Sequence, residues 1–129
     1  MKTLDPELMP FIKLMGLQVP SAEKDRIIGE ITVRHDLCTT GKIMHGGAIM
    51  AMADALGAIG AFMNLPDGHK ATTTIESKTN FMRAAPLDSK VIADCIPLHV
   101  GRRTSVWQTT LRNEEGKTIA VVTQSQMVL

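Results

Sequence analysis

Hydrophobic and polar positions divide the chain into one long apolar block and a series of alternating segments. The block, residues 45–65 (HGGAIMAMADALGAIGAFMNL), carries one charged side chain between Gly46 and Leu65, Asp54. A helix with a single apolar stripe lies on a surface, whereas one that is apolar all round has to be enclosed. The pattern predicts a central helix over residues 46–64, enclosed by a sheet. Elsewhere apolar and polar residues alternate with the period of a strand. Ile31 and Val33 alternate with Glu30 and Thr32 in residues 26–34. After a turn at Pro66-Asp67-Gly68, four more strands are expected over residues 70–83, 90–100, 103–112 and 118–129. In the first of these, alternation places Ile75, Ser77, Thr79 and Phe81 on one face and Thr74, Glu76, Lys78 and Asn80 on the other. Pro97 marks an edge or a bulge, and Asn113-Glu114-Glu115-Gly116 a hairpin turn.

Residues 5–15 read as a short amphipathic helix capped by Asp5, with Pro6 at its first position. Pro10 breaks it, Gly16 ends it and Pro20-Ser21 marks a turn, so residues 1–20 are expected as an N-terminal helical segment. Consecutive strands on short turns imply antiparallel pairing. The expected fold is one α+β domain over residues 1–129, with an antiparallel sheet of about five or six strands wrapped around one long helix. Small residues on that helix permit close approach of sheet or partner backbone. Gly57 and Gly60 lower its intrinsic stability, so something other than local preference must hold it.

Composition narrows the function. A formal charge of +1 gives no electrostatic case for nucleic acid or anionic membrane. One tryptophan, three phenylalanines and no tyrosine leave little for base stacking. The apolar block approaches the roughly 20 residues of a membrane span, but Asp54 near its middle opposes that reading. Cys38 and Cys95 are too few for a disulfide framework, and acidic residues and a proline stand where a signal peptide needs an apolar run. A cytoplasmic protein is the expectation. His35, Cys38, His45 and His69 fit no zinc spacing, so no metal is expected, and no Gly-x-Ser-x-Gly elbow appears. The nine methionines read as core filling, with Met50 and Met52 able to line an adaptable pocket.

Met44-His45-Gly46-Gly47, Asp54 seven residues after the second glycine, and an Ala/Gly-rich helix together resemble the hotdog-fold acyl-CoA thioesterases, especially those of the phenylacetate-pathway and 4-hydroxybenzoyl-CoA type. Asn80-Phe81-Met82-Arg83-Ala84-Ala85-Pro86 and Val100-Gly101-Arg102-Arg103-Thr104 are similar to that family's later strands, and the likeness spans residues 27–128. The resemblance implies that Asp54 is the catalytic carboxylate, as nucleophile or general base. It implies that the Gly47 N–H polarises the thioester carbonyl, with His45 and Gly46 shaping the turn and Thr74 near the reacting centre. Gly101, Arg102, Arg103 and Thr104, with Arg83 and Ala84, fall where coenzyme A is bound. The implied activity is hydrolysis of a small aromatic or medium-chain acyl-CoA with no cofactor, coenzyme A being part of the substrate. The implied assembly is a homodimer, in a fold whose dimers often pair into tetramers. Relatives often carry Asn or Gln a few residues before His-Gly-Gly, where this chain has Cys38-Thr39-Thr40-Gly41-Lys42-Ile43.

The chemistry can be weighed without the family. Thioester hydrolysis needs an attacking or water-activating group and donors for the oxyanion. A helix N-terminus supplies unpaired N–H groups, and Asp54 supplies the carboxylate. Gly47 and Asp54 lie seven residues apart, about 10 Å along a helix, yet both must reach one centre. A second, antiparallel copy would bring them together, giving a homodimer with two composite sites. An Asp54 buried against an arginine is the structural alternative. His45 reads better as a helix-start residue than as a base. Of the adjacent Arg102 and Arg103, which point to opposite strand faces, one at most meets a phosphate. The rival functions are a hotdog hydratase or dehydratase, which relies on a histidine, and a non-catalytic acyl-CoA-binding module.

Overall fold

The computed structural model describes residues 2–129. Its elements run β1 (Lys2–Leu4), a short 3-10 helix (Pro6–Leu8), α1 (Pro10–Met15), β2 (Gln18–Glu23), β3 (Arg26–Thr32), a second 3-10 helix (His35–Leu37), β4 (Cys38–Thr39), β5 (Ile43–Met44), α2 (Gly46–Met63), β6 (Thr72–Phe81), β7 (Lys90–Val100), β8 (Thr104–Arg112) and β9 (Thr118–Val128). Seven strands form one sheet in the order β1-β2-β3-β7-β8-β9-β6, antiparallel at every pairing, and β4 and β5 form a small ribbon leading into α2. This is the α+β sheet-around-helix arrangement that the alternation pattern and the apolar block imply.

The N-terminal region departs from expectation. Helix does not run through the N-terminal segment: among the described residues 2–20 it is limited to the 3-10 turn and α1, flanked by β1 and β2. Pro20 and Ser21 lie inside β2, not in a turn, and the register shifts between Gln18 and Ser21, which accommodates a residue without an N–H. Pro10 interrupts as expected, because it becomes the first residue of α1, where its missing N–H has no partner to lose. Asp5 caps only the 3-10 turn, its Oδ1 accepting from the Glu7 N–H at 2.9 Å. Gly16 ends α1 in the left-handed region at φ 77°.

One face of α2, including Ile49, Met52, Ala53, Leu56 and Ile59, is buried against the concave side of the sheet. The core there includes the fully buried Leu17, Ile27, Val33, Val91, Trp107, Leu111, Ile119 and Val122. Close approach explains the glycines. A Cβ on Gly60 would stand 2.6 Å from the Trp107 ring, and one on Gly57 would stand 2.2 Å from the Gln124 side chain. The sheet thus holds a helix that its own residues favour weakly. Gly60→Ala should destabilise the fold by about 1–3 kcal/mol through overpacking, outweighing the ~1 kcal/mol that alanine gains in helix propensity. Chemical denaturation measures the balance.

A single chain does not enclose α2 completely. Gly47, Ala51, Asp54, Ala58 and Phe62, spaced four, three, four and four residues apart, form a half-buried to exposed stripe. α2 has the length and apolarity of a membrane span, and half of it is buried inside the fold.

Two bulges adjust the strands. In β7 the register shifts between Pro97 and His99, the bulge that proline required inside a sheet. In β6 it shifts between Thr74, opposite Gln126, and Glu76, opposite Ser125, leaving Ile75 as the extra residue. Strict alternation is thereby corrected: Thr74 shares the partly buried, helix-facing side with Ser77 and Thr79, while Ile75 is exposed.

Candidate active site

Asp54 is half-buried on α2, and its Oδ1 accepts a hydrogen bond from Thr74 Oγ1 at 2.8 Å. The bulge at Ile75 is what turns that hydroxyl toward the helix. The alternative of an acid paired with an arginine is not what the structure shows: among the described ion pairs none includes Asp54. Behind Thr74 lies a polar chain that the sequence reading missed. Gln126 Nε2 donates to Thr74 Oγ1 at 2.6 Å and to Gln124 Oε1 at 2.7 Å, and Gln124 Nε2 donates to the Ala53 carbonyl at 2.9 Å. Both glutamines are 1% exposed. Their signal was present in β9, where they continue the inward positions of Ala120 and Val122 with amides instead of apolar groups. Farther along β6, Ser77 Oγ and Thr79 Oγ1 are buried without a hydrogen-bond partner among the described residues.

The helix start is built by His45. Its carbonyl accepts from the Ala48 and Ile49 amides at 2.9 and 3.2 Å, its own N–H donates to the Leu37 carbonyl at 2.8 Å, and Met44 N–H donates to the Ala85 carbonyl at 2.8 Å. The His45 ring caps the helix, Nδ1 accepting from the Gly47 N–H at 2.8 Å. A neutral ring accepting at Nδ1 carries its proton on Nε2, so Nδ1 is not free to act as a base. Gly47, the expected oxyanion donor, is therefore already engaged, and its amide reaches a ligand only when the ring turns aside. Gly46 packs beneath the Phe81 ring, where a Cβ would stand 3.2 Å away.

The exposed stripe of α2 runs between two grooves. One, about 380 Å³, is lined by His45, Gly47, Ala48 and Ala51 with Phe11 and Leu14 of α1. Arg34 closes one side, donating to the Leu14 and Met15 carbonyls at the end of α1. The other, about 660 Å³ and mainly apolar, begins one helical turn beyond Asp54, between Ala58, Ile59 and Phe62 of α2 and Lys70, Ala71 and Thr72 before and within β6.

The two segments expected at coenzyme A lie apart. Gly101 N–H donates to the Thr104 carbonyl at 2.8 Å in the β7–β8 turn, with Arg102 and Arg103 exposed. Arg83 and Ala84 are exposed beyond β6, the Arg83 N–H donating to the Ile119 carbonyl at 3.1 Å. Thr104 pairs with Met127 and Phe81 with Ala120, seven residues along β9, which is about 23 Å at ~3.3 Å per residue. One chain does not bring these segments together. Gly46 and Gly47 lie at the Arg83 end, and Asp54 and Thr74 lie toward the Thr104 end.

Cys95 is buried, and burial pushes its thiol up to about 11, which leaves it protonated and unreactive at neutral pH. Among the described residues no three His, Cys, Asp or Glu side chains gather as a metal site.

Residues 41–120, more than half of the chain, match the thioesterase superfamily. The chain belongs to that superfamily. It is 29% identical over 113 residues to an Arabidopsis thaliana protein named 1,4-dihydroxy-2-naphthoyl-CoA thioesterase 2, covering 84% of this chain and 71% of that one. A thioesterase structure from Haemophilus influenzae superposes with a TM-score of 0.86 at 25% identity, over 99% of this chain and 92% of that one. The PaaI protein of the Escherichia coli phenylacetic acid degradation operon superposes with a TM-score of 0.87 over 95% of this chain and 86% of that one, at 20% identity, a likeness of fold alone. The fold is therefore the hotdog fold, and the protein is a thioester hydrolase.

Proposed function

We propose that this thioesterase hydrolyses an acyl-CoA to a free acid and coenzyme A, in sites shared by two copies of the chain. The observation that carries the reading is the position of Asp54. It is held by Thr74 on the uncovered face of α2, seven residues from the Gly47 amide and thus about 10 Å away along the helix. A second copy running head to tail places its own helix N-terminus beside this Asp54. The free edge of β6, with exposed Ile75, Phe81 and Met82 at and just beyond it, supports such pairing. An antiparallel match of two β6 strands sets the Thr74 end of one against the Phe81 end of the other. It also joins the Arg83–Ala84 segment of one copy to the Gly101–Thr104 segment of its mate. Arg102 and Arg103 lie there in the exposed turn between β7 and β8, not on opposite faces of a strand as expected, so strand geometry no longer limits phosphate contact to one of them. Exposed Ile96 and Leu98 on the outer face of β7 suit the pairing of dimers into a tetramer.

In this site the Asp54 carboxylate attacks the thioester carbon or takes a proton from the attacking water. Charge gathers on the carbonyl oxygen, facing the positive end of the second copy's helix once its His45 ring has turned from Gly47. Collapse of the tetrahedral centre breaks the C–S bond and releases coenzyme A as thiolate. Direct attack by water gives the free acid at once, whereas attack by Asp54 gives a mixed anhydride that a water then hydrolyses, so either route consumes one water. The apolar groove beyond Asp54 suits a small aromatic or medium-chain acyl group, and the Arabidopsis relative is named for an aromatic one. Thiol release from a panel of benzoyl-, phenylacetyl-, hexanoyl- and octanoyl-CoA tests the reading. Turnover of at least one is expected; binding of all four without thiol release would make the protein a non-catalytic module instead.

A further inference from the structure

We propose that Gln126 is a positioning residue for the Asp54 carboxylate, acting through the Thr74 hydroxyl. The inference rests on Asp54 being the reacting group and adds to it a fixed direction of hydrogen bonding. That direction follows from donor counting. The Ala53 carbonyl can only accept, so the Gln124 amide turns its nitrogen to Ala53 and its oxygen to Gln126. An accepting oxygen there requires the Gln126 nitrogen, whose second hydrogen reaches Thr74 Oγ1. With a donor already directed at its oxygen, the Thr74 hydroxyl sends its single hydrogen to Asp54 Oδ1. Oδ2 is left as the reacting oxygen.

Two buried amides in an apolar core are tolerated only when their hydrogen bonds are satisfied. Here the satisfied chain is anchored on helix backbone and ends at the half-buried carboxylate. It also accounts for Gly57, whose missing side chain leaves the space that Gln124 occupies.

The test is a cycle of Gln126→Leu, Thr74→Val and their combination, with Thr74→Ser as the variant that keeps the hydroxyl. Gln126→Leu should lower kcat about tenfold, the scale of one hydrogen bond to a charged group, with KM changed less than about twofold. On Thr74→Val the same change should cost nothing further, and on Thr74→Ser it should cost as much as in the native enzyme. Gln126→Glu keeps the volume if leucine disturbs folding, and should also lower kcat because its oxygens draw the Thr74 hydrogen away from Asp54. A folded Gln126 variant with native kcat, or a loss that multiplies undiminished onto Thr74→Val, overturns the proposal. A merely structural Gln126 would lower the melting temperature without this dependence on Thr74. Asp54→Asn separates the two readings: if it turns over normally, Asp54 is not the reacting group. If it is inactive while Gln126 variants are native, only the positioning role falls.

Discussion

Asp54→Asn should lose about three orders of magnitude in kcat, within the usual range for removing a group that moves a proton or attacks, while the protein stays folded. Asparagine has the shape of aspartate, and its side-chain oxygen can still accept the Thr74 hydrogen that Oδ1 accepts at 2.8 Å. What it lacks is the negative charge and the basic second oxygen. Stability should therefore change by less than about 1 kcal/mol, the scale of one neutral hydrogen bond. KM should move little, because the substitution removes stabilisation made in the transition state and leaves the substrate's other contacts in place. Steady-state thiol release together with thermal melting checks both halves. A residual rate within tenfold of native enzyme would mean that the chemistry lies elsewhere.

The second large effect is a recovery of activity. Asp54→Ala chains keep the helix start and lose the carboxylate. Gly47→Pro chains keep the carboxylate and lose the amide hydrogen that now binds His45 Nδ1. Proline is tolerated in the first helical turn, where no intrahelical bond is forfeited. Each variant alone should be inactive. After co-refolding, random pairing makes about half of all dimers mixed, and each mixed dimer has one intact site of two, so activity should return to about a quarter of native. Activity no higher than that of the two parents would show that each chain works with its own residues, and the shared site would be abandoned.

Much of this organisation is legible in the chain itself. The apolar block with one acid, the turn glycines and the period-two segments lead directly to one helix against an antiparallel sheet, and His-Gly-Gly marks where α2 begins. What stayed hidden depends on relations across the sheet. β2 was masked because Pro20-Ser21 has the local signature of a turn, while the strand is held there by pairing with β3. The face of Thr74 was misread because alternation counts residues evenly, and a bulge is fixed by the partner strand. Gln124 and Gln126 were overlooked because an amide pair near a chain end looks solvated until neighbouring strands cover it. The engagement of Gly47 by the His45 ring depends on a rotamer, which no residue spacing encodes.

The extra residue in β6 sets regularity against chemistry. Pulling the strand straight with Ile75 kept in the ladder would restore even pairing with β9 and tidy the edge. It would also turn every residue before it to the opposite face, so the hydroxyl at position 74 would face solvent and leave the acid on the helix unattended. In this sheet one irregular residue keeps the strand in phase with the helix, and a smoother strand would be a poorer enzyme.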